Sequence, residues 1–361
     1  MADHSKIEWT DATVNVVNGC SLASPGCTNC YAMKLAGTRL RTHPSREGLT
    51  IQTKAGPVWN GEVRFNERPL EDVLRWTKPR MIFWNAHGDL FHPSVPDEWI
   101  DLCFAAMGRT PHHIHQVLTK RSERMRQYLS ARKAASPVNV PLGDGALEQH
   151  PFNNELKPPS SIWLGVSVED QQRADERIPD LLATPAAIRW LSCEPLLGAV
   201  DLTRVKRFPP GIADKEFINA VEGRMWTDQT GLPNPDPSWA YPGRPFSEGR
   251  GLDWIVVGGE SGKGARPMHP AWARSLRDQC ADAGVPFFFK QFGDWMPSEL
   301  CKLDCSARDI LIYDETGKIW REAQDDGGWV GDQAMCRVGK KRAGRLLDRV
   351  EHNGMPETKN A

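Results

Sequence analysis

The chain has 361 residues, of which 40% are hydrophobic and 25% charged, so it is neither a disulfide-stabilised mini-protein nor a disordered chain. Its 45 lysines and arginines are balanced by 46 aspartates and glutamates, which gives a net charge of -1. This balance excludes a globally basic nucleic-acid clamp and leaves only local basic patches for such a partner.

Short apolar runs recur along the chain and are flanked by glycine, proline or charged residues. Their β-branched and aromatic residues are typical of strands buried on both faces. Trp84, Trp163, Trp190 and Trp254 lie within such runs and are predicted to be core residues, with a stacking surface for a base as the alternative. The predicted strands are 14–17, 63–65, 81–84, 114–118, 162–168, 188–191, 254–257 and 286–289.

Longer amphipathic stretches alternate with these runs and are predicted to be helices. They are 29–40, 69–76, 97–107, 122–133, 170–183 and 271–283. Alternation of this kind implies parallel strands joined by helical crossovers. We therefore predict an α/β fold, a full or partial (β/α) TIM-like barrel, with an open doubly wound sheet as the competing topology.

Two proline-rich stretches and a tail interrupt this alternation. Residues 134–160 and 207–250 are predicted to be loop insertions in a barrel domain that covers residues 1–292. Residues 293–361 are predicted to be a small C-terminal appendage, with a hairpin formed by 310–313 and 318–320 and a closing helix near 339–350.

Nothing in the sequence predicts export or insertion into a membrane. No apolar run approaches the roughly 20 residues that span a bilayer, and the first residues lack the apolar stretch of a secretory signal. The nine cysteines are therefore expected to be reduced thiols or metal ligands in the cytoplasm.

Three of these cysteines are closely spaced. Cys20, Cys27 and Cys30 follow the first predicted strand and open the first predicted helix. Thiolates are soft ligands that suit iron–sulfur clusters and zinc. Three ligands would leave one iron of a cubane cluster open, whereas zinc would need a distant fourth ligand such as His43 or His92. Three unliganded buried thiols are the remaining alternative.

Polar residues follow the predicted strands repeatedly, at the strand ends that carry active sites in (β/α) barrels. Lys120, Glu169, Glu194, Glu260 and Lys290 occupy these positions. Such a mixture of acids and lysines suits a zwitterionic cofactor and a polar substrate, although strand ends are also where chains ordinarily become polar.

A glycine-rich stretch, Gly258-Gly259-Glu260-Ser261-Gly262-Lys263-Gly264, departs from the P-loop pattern at two positions. A nucleotide-hydrolase function is therefore disfavoured, but the stretch can still offer backbone N–H groups to an anion.

Two basic stretches provide local positive charge. They lie at residues 120–133 and 337–349. Each is predicted to be either a solvated helix face or a contact for nucleic-acid phosphates.

The cysteine spacing and several short motifs together resemble the phage-associated three-Cys-motif family, which is related to radical S-adenosylmethionine enzymes. The resemblance covers residues 6–293. Its motifs are Trp9-Thr10-Asp11-Ala12-Thr13, the cysteine loop, Leu118-Thr119-Lys120-Arg121, Gly165-Val166-Ser167-Val168-Glu169, Leu191-Ser192-Cys193-Glu194-Pro195, Val257-Gly258-Gly259-Glu260-Ser261 and Phe289-Lys290-Gln291.

The resemblance implies a 4Fe-4S cluster held by Cys20, Cys27 and Cys30, with S-adenosylmethionine bound at the open iron. It implies a radical enzyme of lyase or transferase type, acting in nucleic-acid repair or modification. Six residues separate the first two cysteines, where radical S-adenosylmethionine enzymes usually have three. The family also often occurs beside a separate three-Cys-motif partner protein.

We assign candidate roles on this basis. The candidate catalytic residues are Glu194, Lys120 and Lys290, and the candidate cofactor-binding residues are Gly258, Gly259, Glu260, Glu169 and Tyr31. The alternative function is a non-catalytic, zinc-stabilised module that binds nucleic acid or protein.

Overall fold

The computed structural model describes residues 5–134, 139–142, 145–152, 159–207, 216–227, 250–301, 310–313, 316, 319–322 and 333–357. Seven strands form one sheet, and their order in the sheet follows their order along the chain. They are β1 (Ala12–Val14), β2 (Met81–Trp84), β3 (Ile114–Thr119), β4 (Ile162–Ser167), β5 (Ile188–Cys193), β6 (Trp254–Gly258) and β7 (Phe287–Gln291).

The sheet confirms the α/β fold with parallel strands. The pairs β1–β2, β2–β3, β3–β4 and β6–β7 are all parallel. Among the described strands the order contains no reversal of the kind that defines a doubly wound sheet, so that competing topology does not apply. The helices are α1 (Tyr31–Gly37), α2 (Arg68–Arg75), α3 (Asp97–Arg109), α4 (Ser122–Ala134), α5 (Gln171–Ala183), α6 (Pro270–Ala283) and α7 (Lys340–Ala343).

The chain divides into two compact units. The first consists of the described residues within 5–166 and 183–190, and the second of the described residues within 167–182 and 191–357. Trp84, Trp163 and Trp190 are at most 1% exposed in the first unit, as is Trp254 in the second, which confirms that these tryptophans are core residues. Within the described helices, none is both long enough and apolar enough to cross a membrane.

The predicted strand 63–65 does not belong to the main sheet, and the predicted first strand, 14–17, is divided, since Val14 ends β1 and Val17 belongs to a second, two-stranded sheet. Arg64–Phe65 pairs antiparallel with Val17–Asn18 in a separate two-stranded sheet. Both residues of this short strand are only partly buried, whereas its partners Val17 and Asn18 are buried, so the apolar run at 63–65 covers a buried segment without entering the main sheet. A further hairpin in the first unit joins Thr50–Thr53 to Gly56–Trp59.

The C-terminal hairpin is confirmed, but the closing helix near 339–350 is confirmed only at its start. Ile310–Tyr313 pairs antiparallel with Ile319–Glu322, in a sheet that also holds Gln333–Arg337 and Trp295–Pro297. Helix α7 spans only four residues and stops at Gly344, whose φ is 71°. The chain then forms a tight hairpin, Leu346–Leu347 with Val350–Glu351, whose turn residues Asp348 and Arg349 both have positive φ.

Both predicted insertions contain short antiparallel strands. Asn139–Pro141 pairs with Leu147–Gln149 in the first. Glu216–Asn219 and Arg224–Thr227 lie in the second and form a three-stranded sheet with Val205–Lys206, which immediately precedes it. The remaining parts of these insertions, 135–138, 143–144, 153–158, 208–215 and 228–249, lie outside the described residues.

The contact between Gly165 and Trp190 yields a test of the core. A Cβ atom at Gly165 would lie 2.6 Å from the indole ring of Trp190, whereas one at Gly198 would have only ordinary contacts, at 3.4 Å or more. Gly165→Ala should therefore lower the free energy of unfolding by about 1–3 kcal/mol. Gly198→Ala is the control and should leave the urea midpoint unchanged or raise it; equal effects of the two variants would contradict this packing.

His115 should make the first unit sensitive to acid. Trp84 Nε1–H donates to His115 Nδ1 at 3.1 Å, and His115 Nε2–H donates to the Thr110 carbonyl at 3.0 Å, so the buried ring is neutral. Burial lowers the pKa of His115 to about 3. In the unfolded chain the pKa of histidine is about 6.5, so neutral His115 contributes its full stabilisation above that pH. The free energy of unfolding should fall by about 2 kcal/mol on acidification to about pH 5, because the unfolded chain then binds a proton that the folded chain does not.

Urea unfolding at several pH values measures this effect. His115→Gln should flatten the loss of stability between neutral pH and pH 5, whatever its effect at neutral pH. His112→Gln removes an exposed histidine of the same segment and should keep the wild-type slope. An unchanged slope in His115→Gln would contradict the assignment.

Candidate metal centre and strand-end ion pairs

The cysteine loop is attached to the main sheet through glycine backbone. Gly19 has a φ of 94°, and its N–H donates to the carbonyl of His87 at 3.2 Å. A Cβ atom at Gly19 would lie 2.2 Å from the carbonyl oxygen of Glu62, so only glycine fits there. This close approach fixes the backbone one residue before Cys20.

The three cysteines of the loop share one neighbourhood in the first unit. Cys27 ends a 3-10 turn, Pro25–Cys27, and Cys30 is the N-cap residue of α1. Cys27 is buried and lies within electrostatic reach of both Cys20 and Cys30. Cys20 and Cys30 also pack against the same apolar cluster, which consists of Ala32, Met33, Ala36, Leu49 and Trp59.

Burial keeps two of these thiols protonated in the metal-free chain. It raises the pKa of Cys20 to about 12, and the negative charge of Asp89 adds to this effect while Arg121 opposes it. Burial also raises the pKa of Cys30. A metal that bound here would have to displace the thiol protons, so its affinity would rise with pH.

The side chains do not form a preassembled single-ion site. In the part of the chain that the structure describes, no three or more His, Cys, Asp and Glu side chains are grouped so that they could hold a metal ion. The loop cysteines are within reach of one another without converging on one point.

An ion pair with little solvent exposure lies beside this loop. Arg121 Nη1 contacts Asp89 Oδ2 at 3.1 Å, and their side chains are 12% and 7% exposed. Asp89 Oδ1 also accepts a hydrogen bond from Thr119 Oγ1 at 2.7 Å, and Oδ2 accepts one from the backbone of Lys120 at 3.1 Å. Asp89 therefore joins the segments that follow β2 and β3.

Ser21 connects this ion pair to the loop. Arg121 Nη2 donates to the carbonyl and the Oγ of Ser21, at 2.8 Å and 3.0 Å. His92 Nδ1 accepts from the backbone N–H of Ser94, so its proton lies on Nε2 and is donated to Ser21 Oγ at 2.8 Å. Ser21, the residue next to Cys20, is thus held in place by hydrogen bonds from Arg121 and His92, and Asp89 in turn holds Arg121. We call these four residues the Ser21 clamp.

The first basic stretch is partly used in internal contacts. Besides Arg121, Arg124 donates to the carbonyls of His92 and Val95, and Arg132 forms two 2.7 Å bonds to Asp101. The sequence predicted that this stretch is either a solvated helix face or a contact for nucleic acid. For these three arginines the structure shows a third role, contacts with other residues of the fold.

Two of the candidate catalytic residues form an ion pair in the second unit. Lys290 Nζ lies 2.7 Å from Glu194 Oε1, and the two side chains are 16% and 14% exposed. Ser192 Oγ donates to Glu194 Oε2 at 3.2 Å. A Cβ atom at Gly258 would lie 2.7 Å from Glu194 Oε1, so the glycine leaves room for this carboxylate. Lys120, the third candidate, lies in the first unit at the end of β3.

The two candidate cofactor-binding glutamates are each paired with an arginine. Glu260 accepts from the Arg266 backbone N–H and Nε at 2.8 Å and 2.9 Å, and from Nη2 at 2.7 Å. Glu169 is fully buried, and Arg177 Nη1 lies 2.8 Å from its Oε2. These contacts balance both charges within the fold, and the cofactor-binding roles stay predictions.

The remaining cofactor-binding candidates differ in exposure. Tyr31 is 56% exposed, and its hydroxyl donates to the carbonyl of Ala86 at 2.8 Å. Gly259 is in close backbone contact, since a Cβ atom there would lie 1.9 Å from the Phe292 carbonyl oxygen.

The chain matches one family along nearly its whole length. The family is described as "Protein of unknown function (DUF5131)", and the match covers residues 4–356. The chain belongs to this family. No curated protein and no solved structure matches the chain.

The fold of this DUF5131 protein brings together residues that the sequence motifs did not connect. Ser21 and Arg121 are 100 positions apart, and neither was a candidate site residue. Arg46, a buried arginine after α1, was also not singled out. The sequence does carry one indication of a cationic site there, since the stretch from Tyr31 to Arg46 contains four Lys and Arg residues and no Asp or Glu.

The Glu169–Arg177 pair yields a stability prediction for the DUF5131 fold. Arg177→Met leaves the carboxylate of Glu169 buried without its cation and should cost about 3–5 kcal/mol of unfolding free energy. Arg75→Met removes an exposed i,i+4 pair with Glu71 and should cost no more than about 1 kcal/mol. Urea unfolding compares the two, and similar losses would contradict the importance of the buried pair.

Proposed function

We propose that this DUF5131 protein is a radical-S-adenosylmethionine-like iron–sulfur enzyme with a partial (β/α) barrel. Cys20, Cys27 and Cys30 would hold a 4Fe-4S cluster. The observation that carries the proposal is that the three cysteines share one neighbourhood after β1, beside the Ser21 clamp, in which Cys27 is buried and Cys20 and Cys30 are partly buried. Parallel strands with helical crossovers place such a loop at the carboxyl ends of the strands, where barrel enzymes carry their active sites.

The donor set fits a cluster better than zinc. Four thiolates or histidines around one zinc, at Zn–S distances of about 2.3 Å, bring sulfurs within about 3.8 Å of one another. The described residues contain no group that converges in this way. A four-iron cluster can be held by three cysteines, which is the number in this loop, whereas zinc would need a fourth ligand. His92, one of the two histidines considered for that place, is hydrogen-bonded to Ser94 and Ser21 through its two ring nitrogens.

The surrounding residues suit an anionic group bound to thiolates. Arg121 lies within electrostatic reach of Cys20 and Cys27 and supplies positive charge. Asp89 and His92 fix the guanidinium and Ser21, and the apolar cluster under Cys20 and Cys30 excludes water. Of these features, Arg121 favours the thiolate form of Cys20, whereas burial and Asp89 oppose it, so ligation depends on a metal that displaces the thiol proton.

When bound, the cluster and S-adenosylmethionine supply one-electron reduction of the sulfonium group, and the protein's contribution is to bind, orient and shield. In the second unit, Glu194 and Lys290 are the residues that we propose for proton transfer at Oε1 and Nζ. The pair is partly exposed and held by Ser192, so it is ordered and still accessible. Lys120 keeps its proposed catalytic role, and nucleic acid remains the proposed class of substrate.

Anaerobic reconstitution tests the cluster. The full chain should become brown and bind about four irons, as expected for a cubane cluster. Cys20→Ala, Cys27→Ala and Cys30→Ala should each lose most of the iron and the visible absorbance. Cys103→Ala removes a fully buried thiol from α3 in the same unit and is the matched control. Colourless protein that retains one zinc per chain would contradict the proposal and support the zinc-stabilised module.

Cofactor cleavage tests the enzyme. Reconstituted protein, incubated with dithionite and S-adenosylmethionine, should release 5′-deoxyadenosine, which chromatography detects. Cys30→Ala should lower the yield at least about tenfold because the cluster that delivers the electron is lost. A wild-type protein that holds the cluster but releases no 5′-deoxyadenosine would rule out this chemistry while leaving the metal site intact.

A further inference from the structure

Arg46 is a buried cation in the loop that follows α1. The residue is only 7% exposed, although the neighbouring Pro44 and Glu47 are exposed. Its guanidinium has three polar partners. Nη1 donates to the carbonyl and the Oγ of Ser45, at 3.1 Å and 2.7 Å, and Nη2 lies 2.6 Å from His87 Nδ1.

These partners leave part of the guanidinium unsatisfied. Arginine carries five N–H hydrogens, and three of them are accounted for by Ser45 and His87. Nε is buried and has no hydrogen-bond partner. The Nε–H group and one hydrogen on Nη2 therefore have no partner. Nε and Nη2 form an edge of the guanidinium that can bind an oxyanion in bidentate fashion.

No carboxylate of the described residues balances this charge. All partners of Arg46 are neutral, since His87 accepts at Nδ1 and burial lowers the pKa of its ring to about 4. Arg64 lies within electrostatic reach, and its own contact is with the carbonyl of Pro44. A second arginine beside a buried one adds repulsion to the cost of desolvation, and burial together with Arg64 lowers the pKa of Arg46 to about 10.

We propose that Arg46 and Arg64 bind a phosphate group. The ligand supplies the negative charge that the described residues do not provide. The site is next to the cysteine loop, because the ring of Tyr31, which follows Cys30, packs edge-on against His87 with centroids 5.9 Å apart.

Phosphate fits this environment better than a single carboxylate. Two guanidinium groups without an acid match a group that spreads negative charge over several oxygens. The stretch from Tyr31 to Arg46 adds Lys34, Arg39 and Arg41, and it contains no Asp or Glu. A nucleic-acid strand and a free nucleotide carry the same phosphate chemistry, so the experiment must distinguish the two.

The test uses the full chain without iron, so it is independent of the proposed function. The probes are inorganic phosphate, adenosine monophosphate and a fluorescein-labelled single-stranded oligonucleotide. Each probe that binds should raise the midpoint of thermal unfolding with concentration. Fluorescence anisotropy gives the affinity for the oligonucleotide, and its loss with added salt reports the phosphate contacts.

Arg46→Met should weaken binding about 10- to 100-fold, the loss expected for removal of a charge-assisted bidentate contact. In phosphate-free buffer the same variant should be as stable as wild type or more stable, because it removes an unbalanced buried charge. Arg46→Lys keeps the charge, loses the two-nitrogen edge and should weaken binding about tenfold. Arg75→Met removes an exposed cation of the same unit and should bind like wild type.

The outcomes are distinct. Binding of the oligonucleotide alone identifies a strand as the ligand, and binding of the monophosphate identifies a nucleotide; loss of either in Arg46→Met supports the site. Failure of every probe to bind wild type overturns the proposal. Undiminished binding by Arg46→Met or Arg46→Lys also overturns it. Failure of iron reconstitution affects none of these results.

Discussion

The contact between Arg121 and Asp89 is the constraint on which the candidate metal centre depends. A bare carboxylate or guanidinium with so little solvent exposure would cost several kcal/mol, so each requires the other. Their remaining hydrogen-bonding groups are directed to Thr119, Lys120 and Ser21. The pair therefore joins the segments at the ends of β2 and β3 to Ser21, the residue beside Cys20. The start of the cysteine loop is thereby fixed to the main sheet.

The same principle explains why most polar residues at strand ends are already paired. Glu169 with Arg177, Glu260 with Arg266 and Glu194 with Lys290 each balance one charge with another inside the second unit. The first two pairs are well satisfied, whereas Glu194 and Lys290 keep some exposure. Arg46 departs from this pattern, since its hydrogen-bond partners are neutral and a second arginine, Arg64, lies within electrostatic reach. We therefore take it as the residue of this neighbourhood that is directed toward a ligand.

The iron–sulfur proposal and the phosphate site concern adjacent parts of the first unit. Cys30 and Tyr31 are consecutive at the start of α1, and Tyr31 contacts the His87 ring that Arg46 also contacts. A soft, redox-capable metal group and a cationic phosphate site would thus be served by the same short helix. This proximity is what a radical enzyme that acts on a phosphate-bearing substrate would require.

The sequence by itself determined the parallel strands, six of the helices and the cysteine loop, because hydrophobic periodicity, capping residues and short ligand spacings act over a few residues. It did not determine which charges are paired. Arg121 and Ser21 are 100 residues apart, and Arg124 and Arg132 have no local feature that separates an internal contact from a solvated one. The helix expected near 339–350 ends after Ala343 for a related reason, since Gly344, Asp348 and Arg349 adopt backbone conformations that lead into two short paired strands. Burial and charge compensation depend on contacts between distant segments, so only the tertiary structure decided which arginines stabilise the fold and which one is left without a counter-charge.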